Sequence, residues 1–128
     1  MPGPDRATAR ACLLAATTGT DHADAMRALV VRFDIQDADA ARRFDELTEE
    51  AVVAITAHEP GTLVYATHAV HGEPLARVFY EVYADDDAFA AHEAAAHVVA
   101  FHARKDPLLS RPPRVEHLTP QRTKGGPA

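Results

Sequence analysis

The chain has 128 residues, which is enough for one domain with its own core but not for two. Its single cysteine, Cys12, excludes an internal disulfide and a zinc site built from cysteines. Its single serine, Ser110, lies in a proline-rich loop and disfavours a serine hydrolase. A formal net charge of −6 argues against nucleic-acid and anionic-membrane partners, and no segment reaches the roughly 20 apolar residues of a transmembrane helix, so we expect a cytoplasmic protein.

The two ends of the chain differ from its middle. Residues 1–25 are rich in Pro, Gly, Thr and Ala without a sustained hydrophobic period, which predicts a flexible N-terminal extension. Residues 120–128 are polar and rich in helix-breaking and strand-breaking residues, which predicts a disordered tail. The folded domain is therefore predicted to span residues 26–119.

The first half of the domain predicts a strand, a helix and a second strand. Residues 27–35 are rich in β-branched side chains and alternate in polarity, as a strand does. Asp37 or Asp39 can cap a helix that runs to about residue 57. After a Pro-Gly turn, residues 62–70 again have the composition of a strand.

The second half of the domain again predicts a strand, a helical region and a strand. A turn at residues 71–74 joins a strand at 75–83, and Asp85-Asp86-Asp87 precedes a helical region from 88 to about 104. A short strand at 114–118 completes the domain. The order β-α-β-β-α-β predicts an α+β, ferredoxin-like fold with both helices on one face of the sheet. Its other face stays uncovered and apolar, so we expect a homodimer.

Histidines are the first candidates for chemistry. His92 and His97 lie five positions apart in the second helical region. Five residues turn a regular helix so that the two side chains point about 140° apart, which prevents them from binding one metal ion. A break near Ala95-Ala96 would change that geometry. We predict no metal site.

The third predicted strand carries charge where the sheet favours apolar residues. Arg77 and Glu81 alternate with Phe79 and Tyr83 on one face. If that face lies in a dimer interface, the charges pair across it; if it lies under the helices, they orient or ionise a ligand. A tyrosine hydroxyl near His92 would suit proton transfer with a phenolic or enolic ligand.

Three motifs follow one another in the order and spacing of a known family. They are Glu59-Pro60-Gly61-Thr62-Leu63-Val64-Tyr65, Val78-Phe79-Tyr80-Glu81-Val82-Tyr83-Ala84-Asp85, and Ala88-Phe89-Ala90-Ala91-His92 with His97 and Phe101. Together they resemble the antibiotic biosynthesis monooxygenase (ABM) superfamily over residues 26–119, and within it most closely the small proteins assigned as quinol monooxygenases. The resemblance implies a dimeric α+β barrel with a small pocket between sheet and helices in each subunit.

The resemblance also implies an activity. Characterised relatives oxidise aromatic phenols with O₂ and without flavin or metal, because the electron-rich substrate supplies the electrons. Their Asn and Trp site residues do not carry over, since this chain has neither residue type. We expect a cofactor-independent monooxygenase of a small quinol or a polyketide-like phenol. The alternatives are haem bound through His102, a proton-transfer isomerase or cyclase, and a non-catalytic protein that binds a small aromatic ligand.

The expected site residues combine the motifs with the strand pattern. Those expected to act in catalysis are His92 as the base, Tyr83 and Glu81. Those expected to bind the substrate are Tyr65, Arg77, His97, Phe89 and His102.

Overall fold

A computed structural model describes residues 26–126, so the predicted extension at 1–25 lies outside the described residues. The elements in chain order are β1 (Arg27–Asp34), α1 (Ala38–His58), β2 (Thr62–Val70), β3 (Glu73–Tyr83), α2 (Asp86–Ala94), α3 (Ala96–Lys105), a 3₁₀ turn (Asp106–Leu108) and β4 (Arg114–Leu118). The predicted β-α-β-β-α-β order is confirmed. The 3₁₀ turn is an addition that the sequence patterns did not predict.

The four strands form one antiparallel sheet in the order β2-β3-β1-β4. The central pair is β1 and β3, in which Val31 lies opposite Phe79 and Leu29 lies opposite Glu81. The α+β ferredoxin-like fold expected from the sequence is therefore the observed fold. None of the helices in the described part of the chain is both long and apolar enough to cross a membrane.

An aromatic cluster fills the space between the sheet and the helices. The ring of Phe33 lies 4.8 Å from that of Phe79, and Phe44 of α1 lies 6.2 Å from Phe101 of α3. Burying each such side chain contributes about 1.5–3 kcal/mol to stability. Because Phe79 belongs to the same face of β3 as Glu81, that face lies under the helices and not on the open side of the sheet.

Aspartates begin two of the helices. The carboxylate of Asp37 accepts a hydrogen bond from the Ala40 amide at 2.8 Å, which decides between the two caps that the sequence allowed for α1. The carboxylate of Asp85 does the same for the Ala88 amide at 2.8 Å at the start of α2. Such caps satisfy amide groups that the first turn of a helix leaves unpaired.

The second helical region is broken into two helices. Ala95 has an extended backbone, with φ −66° and ψ 137°, between the end of α2 and the start of α3. No glycine or proline lies there to cause the break, since residues 93–96 are Glu-Ala-Ala-Ala. The regular-helix geometry assumed for His92 and His97 is therefore wrong, because the two residues belong to different helices.

The turn between α1 and β2 packs closely against α2. A Cβ atom added at Gly61 would lie 2.7 Å from the Cβ of Ala88, which is too close for two carbon atoms. The Gly61 carbonyl also accepts a hydrogen bond from the Ala84 amide at 2.9 Å. Glycine at this position thus sets how closely the turn approaches the first turn of α2.

We expect Gly61→Ala to lower the free energy of unfolding by about 1–3 kcal/mol, because the new methyl group overpacks against Ala88. Urea denaturation monitored by circular dichroism measures the change. The double variant Gly61→Ala/Ala88→Gly is the control: the two losses should be less than additive, since the second change removes the clashing methyl group. Strict additivity would show that the two positions do not interact.

Candidate functional site

A cavity of about 270 Å³ lies between the sheet and helices α2 and α3, and we call it the inner cavity. Its floor is the helix-facing side of β1, formed by Leu29, Val31 and Phe33. Side chains from β2, β3 and β4 and from both helices complete the wall. Mostly apolar walls with a few convergent polar groups are typical of small-molecule sites.

The carboxylate of Glu59 organises one side of this region. Glu59 is the C-terminal cap of α1 and is almost fully buried. It accepts three hydrogen bonds, from the Thr62 hydroxyl at 2.6 Å, from Nδ1 of His92 at 2.7 Å and from Nε2 of His97 at 2.5 Å. Because a carboxylate only accepts, each of those two ring nitrogens carries a proton. Because Nδ1 of His92 is bonded to Glu59, Nε2 is the ring nitrogen of His92 that can contact a ligand.

Burial acts to raise the pKa of Glu59, but the hydrogen bonds from Thr62, His92 and His97 outweigh it and hold the pKa below its ordinary value. Glu59 is therefore an ionised carboxylate at neutral pH. An anion at the C-terminal end of a helix is opposed by the helix dipole, so these donors are what make the position tolerable.

His92 connects this carboxylate to the inner cavity. Its side chain is only 3% exposed, and its ring packs against Tyr65 and Tyr83 with centroids 5.6 and 5.0 Å apart. The ring lines the inner cavity. Within the described part of the chain, its Nε2 makes only a 3.9 Å contact with Glu93, which is too long for a hydrogen bond. His92 can therefore accept a proton from a ligand in the cavity.

The two neighbouring phenols keep their protons. Burial, followed by the charges of Glu81 and Glu59, raises the pKa of Tyr65 far above its ordinary value. Burial and the contact with Glu81 raise the pKa of Tyr83 in the same way. Tyr83 donates a 2.5 Å hydrogen bond to Glu81, whose own pKa is raised mainly by burial. Tyr65 is thus a hydrogen-bond donor and not a base.

The structure brings most of the predicted site residues to the inner cavity. Five of them line it, namely Tyr65, Glu81, Phe89, His92 and His102. Tyr83 is completely buried behind Glu81 and His92, so it supports those two residues and lies outside the cavity wall.

Two predicted substrate-binding residues lie elsewhere. Arg77 donates hydrogen bonds from Nε and Nη2 to the two carboxylate oxygens of Asp45 on α1, at 2.9 and 3.0 Å. This bidentate pair gives Arg77, on the interior strand β3, a structural partner on α1. His97 lies on the far side of Glu59 from His92 and lines a separate outer cleft of about 180 Å³ with Glu50 and Arg104.

The sequence patterns do not identify Glu59 or Lys105 as site residues. Glu59 belongs to the Glu-Pro-Gly motif, and an acidic residue at a helix C-terminus is a signal that donors must lie nearby. Lys105 ends α3, is buried and lines the inner cavity, and no pattern in the sequence distinguishes it from an exposed lysine.

Comparisons with known proteins agree with this architecture. The sequence profile described as antibiotic biosynthesis monooxygenase matches residues 26–104. The chain belongs to the ABM family. A search of curated proteins finds no match.

Solved structures share the ABM fold. A Caulobacter crescentus protein classed as an antibiotic biosynthesis monooxygenase is 25% identical, with a TM-score of 0.73 over 79% of this chain and 94% of that one. The Mycobacterium tuberculosis protein Rv0793 is 24% identical, with a TM-score of 0.70 over 78% of this chain and 99% of that one. A Nitrosomonas europaea protein, also classed as an antibiotic biosynthesis monooxygenase, is 20% identical, with a TM-score of 0.71 over 80% and 96%.

The cavity of this ABM protein does not fit a haem. His102 lines the wall, and burial, followed by the charge of Lys105, lowers its pKa, as suits a neutral ligand. The cavity volume of about 270 Å³, however, is below the roughly 300–1,000 Å³ of pockets that bind drug-sized ligands. A haem is larger than such ligands. In residues 26–126, no group of three or more acidic, histidine or cysteine side chains is arranged to hold a metal ion.

Two carboxylates of the site should affect stability in opposite directions as pH changes. The pKa of Glu59 is lowered in the fold, so its contribution is fully present above the ordinary value of 4.5 and is lost as pH falls through the folded pKa. The pKa of Glu81 is raised, so its contribution is present below 4.5 and is lost as pH rises through the folded pKa.

We therefore expect Glu59→Gln to lower the free energy of unfolding by about 1–3 kcal/mol at pH 7, with a smaller loss at pH 4. Glu81→Gln, which keeps an acceptor for Tyr83, should gain stability relative to the parent protein as pH rises from 4 to 7. Urea titrations at several pH values measure both differences. Parallel pH profiles for the two variants would contradict the assignment.

Proposed function

We propose that this ABM protein is a monooxygenase of a small quinol or phenol that uses O₂ without a bound cofactor. The observation that carries the proposal is the imidazole of His92, whose Nδ1 donates to the ionised Glu59 while its ring lines the inner cavity. A carboxylate that holds one ring nitrogen fixes the tautomer, so that the other nitrogen is a base. Cofactor-free oxidation of a phenol begins with this proton removal.

The size of the cavity narrows the substrate. A cavity of about 150 Å³ holds benzene, and the inner cavity has about 270 Å³. This volume favours a ring system of one or two rings over a larger polyketide. Phe89 and the apolar floor of β1 give flat surfaces for packing against such rings.

The arrangement supports a simple course for the reaction. Nε2 of His92 accepts the phenolic proton, and the charge of Glu59 stabilises the imidazolium that results. Tyr65, which keeps its proton, donates a hydrogen bond to a substrate oxygen. The phenolate then supplies electrons to O₂: one oxygen atom becomes a ring carbonyl, and the other leaves as water with two hydrogens of the substrate. The substrate provides all four electrons, so no external reductant is needed.

His97 has a positioning role in this proposal. It holds the second oxygen of Glu59 from outside the cavity, so it fixes the carboxylate and, through it, the ring of His92. A proton-transfer isomerase or cyclase would use the same His92–Glu59 pair, and consumption of O₂ separates it from an oxygenase.

Oxygen-electrode measurements with a panel of one-ring and two-ring quinols and naphthols test the function. We expect O₂ uptake to match formation of the quinone product. We expect His92→Gln to lower kcat by about 10²- to 10⁴-fold, the usual contribution of a general base.

The matched control is His71→Gln, which changes a histidine in the exposed β2–β3 turn and should leave the rate unchanged. If no substrate consumes O₂ while a proton-transfer product forms, the isomerase alternative replaces the proposal. Full activity of His92→Gln would remove His92 from the mechanism.

We also propose that the protein forms a homodimer through the side of the sheet that faces away from the helices. We call this side the open face, and it includes Val30, Val78, Tyr80 and Leu118. Tyr80 on β3 is 40% exposed, and Leu118 on β4 is 38% exposed. Apolar side chains grouped on one sheet face favour burial against a second copy.

Light scattering coupled to size-exclusion chromatography tests this assembly. We expect a dimer for the parent chain and a monomer for Tyr80→Asp, because the new charge would be buried without a partner. Val53→Asp places the same charge on an exposed position of α1 and should leave the dimer intact. A parent chain that is monomeric at high concentration would refute the proposal.

A further inference from the structure

Lys105 places a buried positive charge in the wall of the inner cavity. It ends α3, and its side chain is only 3% exposed. Lysine is among the residues that are rarely buried unless they are paired, because removing an ammonium group from water is unfavourable. The proposed reaction makes no use of this residue, so its burial requires a separate explanation.

The partners of the ammonium group are too few to explain its burial. Its Nζ donates a 2.5 Å hydrogen bond to Asp106, whose side chain is 61% exposed. The rings of Phe33 and Phe101 lie 5.2 and 5.9 Å away and provide weak cation–π contacts. An ammonium group has three N–H donors, and in residues 26–126 Asp106 supplies its one oxygen acceptor.

The charge lies at one end of the inner cavity. The ammonium group of Lys105 lies over the ring of Phe33 on β1. His92 contacts Tyr65, and Tyr65 lies opposite Glu81. Glu81 in turn lies opposite Leu29 on β1, so His92 is at the Leu29 end of that strand. Along β1, the four residue steps from Leu29 to Phe33 span about 13 Å. The base and the ammonium group therefore lie towards opposite ends of the cavity floor.

The carboxylates that line the cavity do not neutralise Lys105. They are Glu81, which is bonded to Tyr83, and Glu93, which contacts His92 at 3.9 Å. Asp106 projects towards solvent and does not line the cavity. An oxyanion on a bound ligand would therefore fill the unused donor positions of the ammonium group.

We propose that Lys105 forms an anion subsite and that the ligand of the inner cavity is an aromatic carboxylate. The carboxylate binds the ammonium group, and the opposite end of the ring system points towards His92. The orientation of a phenol at His92 rests on the proposed function, whereas binding of the carboxylate does not. The substrate class thus becomes a hydroxylated aromatic acid of one or two rings.

Calorimetry with 2-naphthoate and 2-naphthamide tests the subsite on the full chain. The two probes have nearly the same shape and differ in charge, and neither is a phenol, so no oxidation interferes. We expect the parent protein to bind 2-naphthoate about 10- to 100-fold more tightly than 2-naphthamide, because only the carboxylate forms a charge-assisted hydrogen bond with Lys105. We expect Lys105→Met to remove this preference by weakening 2-naphthoate and not 2-naphthamide.

Arg104→Met is the matched control, because it removes one positive charge from the neighbouring position of α3, outside the inner cavity. It should keep the preference for the carboxylate. His117→Gln tests a histidine of the same wall that the proposal does not use, and it should also keep the preference. Equal affinity of the parent protein for both probes overturns the proposal even if Lys105→Met does not fold, and so does a preference that His117→Gln removes.

Oxygen uptake is measured separately with a hydroxynaphthoate. A preference for 2-naphthoate that depends on Lys105, together with no O₂ consumption, would leave the anion subsite in place and refute the oxygenase. O₂ consumption with neutral naphthols, together with equal binding of the two probes, would support the oxygenase and refute the anion subsite.

Discussion

The buried carboxylate of Glu59 is the interaction on which the site depends. It joins the end of α1 to the start of β2 through Thr62, to α2 through His92 and to α3 through His97. A buried carboxylate needs several donors to remain ionised, and this one receives three. One group therefore connects three helices and a strand and also sets the tautomer of His92.

This dependence explains why α2 and α3 are separate helices. On one continuous helix, His92 and His97 would point about 140° apart and could not reach the two oxygens of one carboxylate. The extended backbone at Ala95 redirects the chain between them. Because residues 93–96 contain no glycine or proline, the break reflects contacts made across the fold and not local preference.

The sheet face under the helices serves both stability and chemistry. Phe79 of β3 contributes to the aromatic core, and the next residue on that face, Glu81, is buried at the cavity. Burial raises the pKa of Glu81, and Lys105 is buried in the wall of the same cavity. Buried ionisable groups in a cavity are typical of functional sites. In this ABM protein, which lacks Asn and Trp, the site that we propose uses a histidine–carboxylate pair and a lysine instead.

The sequence by itself determined the fold and, together with the resemblance to the ABM family, five residues of the cavity wall. Alternation and helical periodicity depend on neighbouring residues, so they predicted the order of elements and placed Tyr65, Glu81 and His92 on elements that meet. The tertiary structure decided which side of the sheet the helices cover. It also decided that Glu59 lies between two histidines 33 and 38 positions away and that Lys105 is buried. Such contacts depend on the packing of whole elements, which local periodicity does not encode.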